Sequence, residues 1–196
     1  MPIDHPLGRR VVVCGRPGKT TLAKAIAEKH DLNLIEIDWI YHKPGWKGRS
    51  DEEARLIVEG RIAESETGWV YDGNGRRTID IPLAHVDSVI LIQIPWLRTL
   101  WSYLKRSVHR SWTGEEIAGG NKETFLLNFA SRESHLWHTF KTRKRNYRAW
   151  LEPQLPVGVD YYVIDSWKQL HRFYEIHELT TSPTIDSREA AATWFE

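Results

Sequence analysis

Short apolar runs alternate along this chain with longer stretches in which apolar residues recur every three or four positions. "RRVVVC" (Arg9 to Cys14) is a β-branched run of the kind that fills a strand buried on both faces. The next segment, "TTLAKAIAEKH", puts Leu22, Ala23, Ile26 and Ala27 on one helical face. "NLIEID" (Asn33 to Asp38) predicts a second strand, and "GWVYDGN" (Gly68 to Asn74) a third that ends in a turn. "VDSVILIQI" (Val86 to Ile94) is the strongest strand pattern in the chain, and "DYYVID" (Asp160 to Asp165) predicts a fifth. Between them, Ser50 and Glu53 form a capping-box pattern, so a helix should open there. Pro95 suits the first turn of another helix, along which Leu97, Leu100, Trp101 and Leu104 recur. After a glycine-containing break, "TGEEIAGGNKE", a long polar and aromatic helix is predicted from about Glu123 to Leu151, stopped by Pro153 and Pro156. "SWKQLHRFYE" predicts a closing helix, and the tail a short one after Ser187.

Strands alternating with helices imply an α/β fold: a five-stranded parallel sheet with right-handed crossovers and helices on both faces. The expected organisation is one domain over residues 1–178, with a lid and helical insertion at about 105–152, followed by a tail over 179–196. In such sheets ligands bind at the carboxyl ends of the strands. Four segments should collect there: the loop Gly15 to Thr20, Asp38, Asp72 to Asn74, and the turn after Asp165.

Composition narrows the reading. The 196 residues suit one domain with a hydrophobic core, and 41% hydrophobic with 27% charged residues is the balance of a globular protein. The formal net charge of +1 points to no particular partner and argues against nucleic acid as the main one. No run approaches the ~18 apolar residues of a membrane helix, and "MPIDHPLGRR" has no apolar signal core. A single cysteine, Cys14, excludes an internal disulfide and fits a cytoplasmic location. Tryptophan is abundant, with ten residues; Trp39, Trp46, Trp96, Trp101, Trp112, Trp137 and Trp150 all lie between the second and fifth predicted strands. Packing explains most of them, and stacking on a base is the functional alternative.

The chemistry is concentrated in "GRPGKTT" (Gly15, Arg16, Pro17, Gly18, Lys19, Thr20 and Thr21) between the first strand and helix. Phosphoryl transfer needs backbone N–H groups around phosphates, a lysine on the β/γ-phosphates and a hydroxyl on Mg²⁺. Lys19 and Thr20 at a helix N-terminus have those roles open to them; a glycine turn with a solvated lysine is the plain alternative. Asp38 closes the second strand, where a carboxylate can hold Mg²⁺ through water or accept a proton from a substrate hydroxyl. Asp72 and Gly73 are candidates for the substrate side, Gly73 because it allows close backbone approach, although Asp-Gly is also an ordinary turn signal. Arg106 and Arg110 share a helix face at i, i+4 and could clamp a transferred phosphate from a lid; a solvated cationic face is equally compatible. "KTRKRNYR" (Lys141 to Arg148) carries five basic residues in eight, read first as a solvated face.

In "VVVCGRPGKTTLAKAIAEKH", "IEIDWIYHKPGW", "WVYDGN" and "DSVILIQIPWLRTLWSYLKR" the chain resembles the adenylate-kinase-like P-loop kinases, most of all the bacterial DNA topology modulation (FlaR-like) group. The resemblance spans roughly Arg9 to Trp167. It implies a three-layer P-loop NTPase fold with a helical lid, ATP and Mg²⁺ as cofactors, and a small-molecule or nucleotide acceptor. On it, Lys19 and Thr20 hold phosphate and metal, Asp38 sits near metal or acceptor hydroxyl, and Arg106 and Arg110 belong to the lid. One departure stands out. The usual pattern is G-x-x-x-x-G-K-[ST], and here two residues are missing before Lys19. A second register keeps eight positions only by starting at Val13, which places Pro17 where an N–H is wanted. The loop is then a tolerated variant, a degenerate site that leaves a non-catalytic nucleotide-binding protein, or an error in the sequence.

Overall fold

A computed structural model describes residues 2–43, 45, 47–95 and 146–180, and the backbone of 116–117 and 121–122. Its centre is the strand β1 (Arg10–Arg16), followed by α1 (Lys19–His30). Then come β2 (Asn33–Glu36), the short α2 (Ile37–Tyr41), the hairpin strands β3 (His42–Lys43) and β4 (Lys47–Gly48), and α3 (Asp51–Ala63). β5 (Trp69–Asp72), α4 (Asp80–Leu83) and β6 (Ser88–Gln93) complete the first half. Beyond a small hairpin, β7 (Glu116–Ile117) and β8 (Asn121–Lys122), lie α5 (Tyr147–Leu151), a 3₁₀ turn (Glu152–Gln154), β9 (Asp160–Ile164) and α6 (Trp167–Ile176).

The main sheet has five strands in the order β2-β5-β1-β6-β9, all parallel. Counted along the chain that order is 2-3-1-4-5, so the first strand lies in the middle with crossovers to either side. The side chains of β1 alternate between two cores, as the two-residue period of a strand requires. Val11 and Val13 pack with Leu22 and Ile26 of α1 and with Leu170 and Phe173 of α6. Val12 and Cys14 face the other way, toward Val58 of α3, Leu83 of α4, and Tyr147 and Leu151 of α5. The result is the three-layer α/β fold that the alternating pattern predicts, a parallel sheet with helices on both faces, and it is consistent with the P-loop NTPase-like class that the resemblance implies. The expected lid helix, with Arg106 and Arg110, lies outside the described residues, as do the tail helix after Ser187 and most of the Lys141 to Arg148 stretch.

Local signals explain several boundaries. Ser50 Oγ accepts from the Glu53 amide at 3.1 Å, and Glu53 Oε2 accepts from the Ser50 amide at 3.1 Å, so the capping box is complete. Ser166 caps α6 through the Gln169 amide at 3.3 Å. Two boundaries differ from expectation. The second strand stops at Glu36, and the segment from Ile37 turns into a helix because Ile37 is drawn into the core beside Gly73. The helix expected to run to Leu151 does not pass through Asn146, whose extended backbone and side-chain bond to the Ala149 amide start α5; the expected part before Asn146 lies outside the described residues.

On the α1/α6 side, His30 ends α1 and His177 caps the end of α6, and each is followed by an acidic residue in left-handed conformation, Asp31 (φ 51°) and Glu178 (φ 50°). Lys29 joins the two ends through Glu178 at 2.9 Å. His177 Nε2 lies 2.9 Å from the Ile3 carbonyl, its ring against Phe173. Burial lowers the pKa of both His30 and His177 below the ordinary 6.5. The unfolded chain therefore binds more protons than the folded one as pH drops through about 6.5, and stability present above that value is lost below it. Urea denaturation should show a lower midpoint at about pH 5.5 than at pH 7.5, with part of the difference removed in His177→Gln. An identical midpoint at the two pH values would contradict this.

Candidate functional site

The four segments expected at the carboxyl end of the sheet do meet there. β1 runs on to Arg16 because its last residues pair with β6, Gly15 opposite Ile92 and Arg16 opposite Gln93. Helix α1 begins at Lys19. Only Pro17 and Gly18 connect them, so the turn is the contracted one, and the eight-residue register starting at Val13 is excluded: Val13 is fully buried within β1.

Gly15 sits at φ +98°, and a Cβ there would lie 1.9 Å from the Ile92 carbonyl oxygen. Asn74 holds the same residue from the other side. Its Oδ1 accepts from the Gly15 amide at 2.7 Å, and its Nδ2 donates to the Gly15 carbonyl at 2.9 Å. Gly18 is the N-cap of α1 in left-handed conformation. No side chain caps this end, and its first turn has no acidic residue. The first helical bond is Leu22 N–H to the Gly18 carbonyl at 3.0 Å. The amides ahead of it, those of Thr20 and Thr21 among them, have no acceptor within the helix, and the helix dipole adds partial positive charge. Trp167 and Leu170 of α6 wall Gly18, which brings the turn after Asp165 into the site.

Lys19 reaches across this end. Its Nζ lies 3.2 Å from Asp72 Oδ1 and 3.7 Å from Asp38 Oδ2. The two carboxylates differ in setting: the Asp72 side chain is 4% exposed and that of Asp38 66%. Asp72 ends β5, the neighbour of β1, and Asp38 sits in the first turn of α2. Gly73 has a packing reason of its own, since a Cβ there would meet Ile37 Cγ2 at 1.9 Å. Cys14, immediately before the turn, is no nucleophile at neutral pH: burial pushes its thiol up to about 12. Burial also raises the pKa of Tyr71, whose hydroxyl bonds Thr78 Oγ1 at 2.9 Å.

Among the described residues no group of three or more His, Cys, Asp and Glu gathers as a metal cage. Mg²⁺ seldom needs one, because it is held by one or two carboxylates together with substrate phosphates and water. Asp38 and Asp72 are two carboxylates at this end of the sheet, and Thr20 stands in the first turn of α1. No described helix is long and apolar enough to cross a membrane. Of the basic stretch, Arg148 is described, and it is paired with Glu152 at 2.6 Å. Trp39 is 45% exposed, whereas Trp150 packs partly into the second core.

Sequence reasoning placed Asn74 in the site but not its bonds to Gly15, which span 59 residues of chain. It predicted helix over Tyr147 to Leu151 but not the contacts of this segment, where Tyr147 and Trp150 lie under Arg16 and Arg76. No local signal marks either contact.

No family profile matches the chain, and no curated protein does. Solved structures do match. One is an unliganded sugar kinase from Janibacter sp. HTCC2649, 19% identical, with 89% of this chain and 96% of that one covered at a TM-score of 0.43. The fold assignment rests on strand order and layer packing, not on that likeness.

Proposed function

We propose that the protein binds Mg·ATP at the N-terminus of α1 and transfers its terminal phosphoryl group to a small-molecule or nucleotide acceptor, as an outlying relative of the adenylate-kinase-like, FlaR-like kinases. The observation that carries this reading is the meeting of an uncapped helix N-terminus with Lys19, Asp72 and Asp38 at one end of a parallel sheet. Bound Mg·ATP would supply the phosphoryl group, and its metal would help to neutralise the phosphate charge. The residues of the chain have separable tasks. The α1 amides and Lys19 would hold phosphate charge. Thr20 and Asp38 would hold the metal, and exposed Asp38 is also placed to take a proton from an acceptor hydroxyl. Arg106 and Arg110 are proposed lid residues on the sequence pattern alone, and Asp72 and Gly73 border the acceptor side.

One observation favours a second reading, nucleotide binding without turnover. The Gly15 amide is taken by Asn74, and Pro17 has no N–H. Two donors are thus withdrawn from the phosphates. Each such charge-assisted bond is worth about 1.5–3 kcal/mol, so the contracted turn should bind at least a hundredfold more weakly than a full ring of donors. A phosphoryl-transfer screen over sugars, nucleosides and nucleoside monophosphates separates the two. Transfer to any acceptor, lost in Asp38→Asn, supports the kinase reading. Saturable Mg·ATP binding with no transfer to any of them supports the second.

A further inference from the structure

Lys19 faces two carboxylates, so the cluster of these three side chains is net negative. An anionic ligand at the α1 N-terminus needs positive charge from elsewhere. Two arginines stand in the turns that Asn74 ties together. Arg16 closes β1 just before Pro17, and Arg76 lies two residues beyond Asn74. Each lies over an aromatic ring of the same five-residue helix. Arg16 Cζ is 5.1 Å from the centre of the Tyr147 ring, and Arg76 Cζ is 5.1 Å from that of Trp150. The two rings meet edge to face at 6.4 Å. Arg77, beside Arg76, pairs with Asp51 at 2.8 Å.

The rings are anchored from below. Tyr147 and Leu151 are buried in the second core, and Asn146 fixes the start of the helix. A guanidinium over a ring face gains cation–π attraction and can still offer N–H donors to a phosphate. Its conformational freedom is restricted before any ligand arrives, so less is lost on binding.

We infer that α5 is a positioning element in which Tyr147 and Trp150 hold Arg16 and Arg76 as preorganised cations for a polyphosphate at the α1 N-terminus. Tyr147 thereby supports the turn before Lys19, and Trp150 the turn after Asp72. The inference rests on the phosphate site proposed above but does not require that the phosphates belong to a nucleotide.

Titration with Mg·ATP and, separately, with inorganic tripolyphosphate tests it by a double-mutant cycle. Tyr147→Leu should weaken binding about threefold to tenfold, Tyr147→Phe much less, and Tyr147→Leu should have no further effect once Arg16 is glutamine. The Trp150→Leu and Arg76→Gln pair should behave alike. Because Tyr147 is buried, the Arg16→Gln and Arg76→Gln variants, which leave the core intact, provide an independent arm: each must weaken binding. Losses that add fully in both cycles, or arginine variants that bind as well as the parent, would overturn the inference and leave the kinase reading standing. Tripolyphosphate binding with the expected coupling, but no nucleotide binding, would uphold the inference and remove the kinase reading. Failure of both ligands to bind the parent would end both.

Discussion

Replacing Gly15 by alanine should destabilise the protein by about 3 kcal/mol or more. Two costs coincide at this position. The backbone sits at φ +98°, a conformation that L side chains rarely adopt, and the added Cβ would lie 1.9 Å from the Ile92 carbonyl oxygen. That oxygen belongs to β6 in the middle of the sheet and has no rotamer through which to escape. Relief requires β1 and β6 to part, which would also disturb the two Asn74 bonds to Gly15. Gly158→Ala separates the two costs. Gly158 also has positive φ, +83°, but nothing lies within 4 Å of the Cβ it would gain, so about 1 kcal/mol is expected from strain alone. Chemical denaturation of both variants reads the difference. Equal, small losses would mean that the close approach of Gly15 to β6 is wrong.

Lys19→Ala should weaken Mg·ATP binding by roughly tenfold to a hundredfold, the value of one charge-assisted hydrogen bond to phosphate. It should also lower stability in the absence of ligand. Asp72 is nearly fully buried and loses its closest cation, at 3.2 Å, and a buried charge without its partner is costly. The two effects can be told apart. Asp72→Asn in the Lys19→Ala background removes the stranded charge and should restore part of the stability, but none of the binding. Unchanged nucleotide affinity in Lys19→Ala would sink the phosphate role of the lysine, whatever happens to stability.

What could be read from the sequence was mostly local or periodic. The β-branched run of β1 dictated a strand with two buried faces, and Ser50 with Glu53 announced the start of α3 because both partners lie within one turn. The convergence of Gly15 to Thr20, Asp38, Asp72 to Asn74 and the turn after Asp165 followed from one rule of parallel sheets. The rest depends on contacts between distant residues. That β1 reaches Arg16, and so shortens the turn to Pro17 and Gly18, is set by pairing with Ile92 and Gln93 of β6. That Ile37 and Asp38 open a helix instead of ending the strand depends on a space that Gly73 leaves for Ile37. The arginine and aromatic pairs join residues 131 and 74 positions apart, which no window of sequence can connect.

The central claim is that a two-residue turn, with one amide already engaged and another absent, still presents a working phosphate site. Isothermal titration with Mg·ATP of the natural chain, beside a variant with Ser-Gly inserted between Gly18 and Lys19, tests it most directly. The account predicts micromolar-range binding by the natural chain, carried by the α1 N-terminus and Lys19. Binding by the inserted variant alone would contradict it, and would mean that the scaffold is that of a kinase whose phosphate site has been lost in this chain.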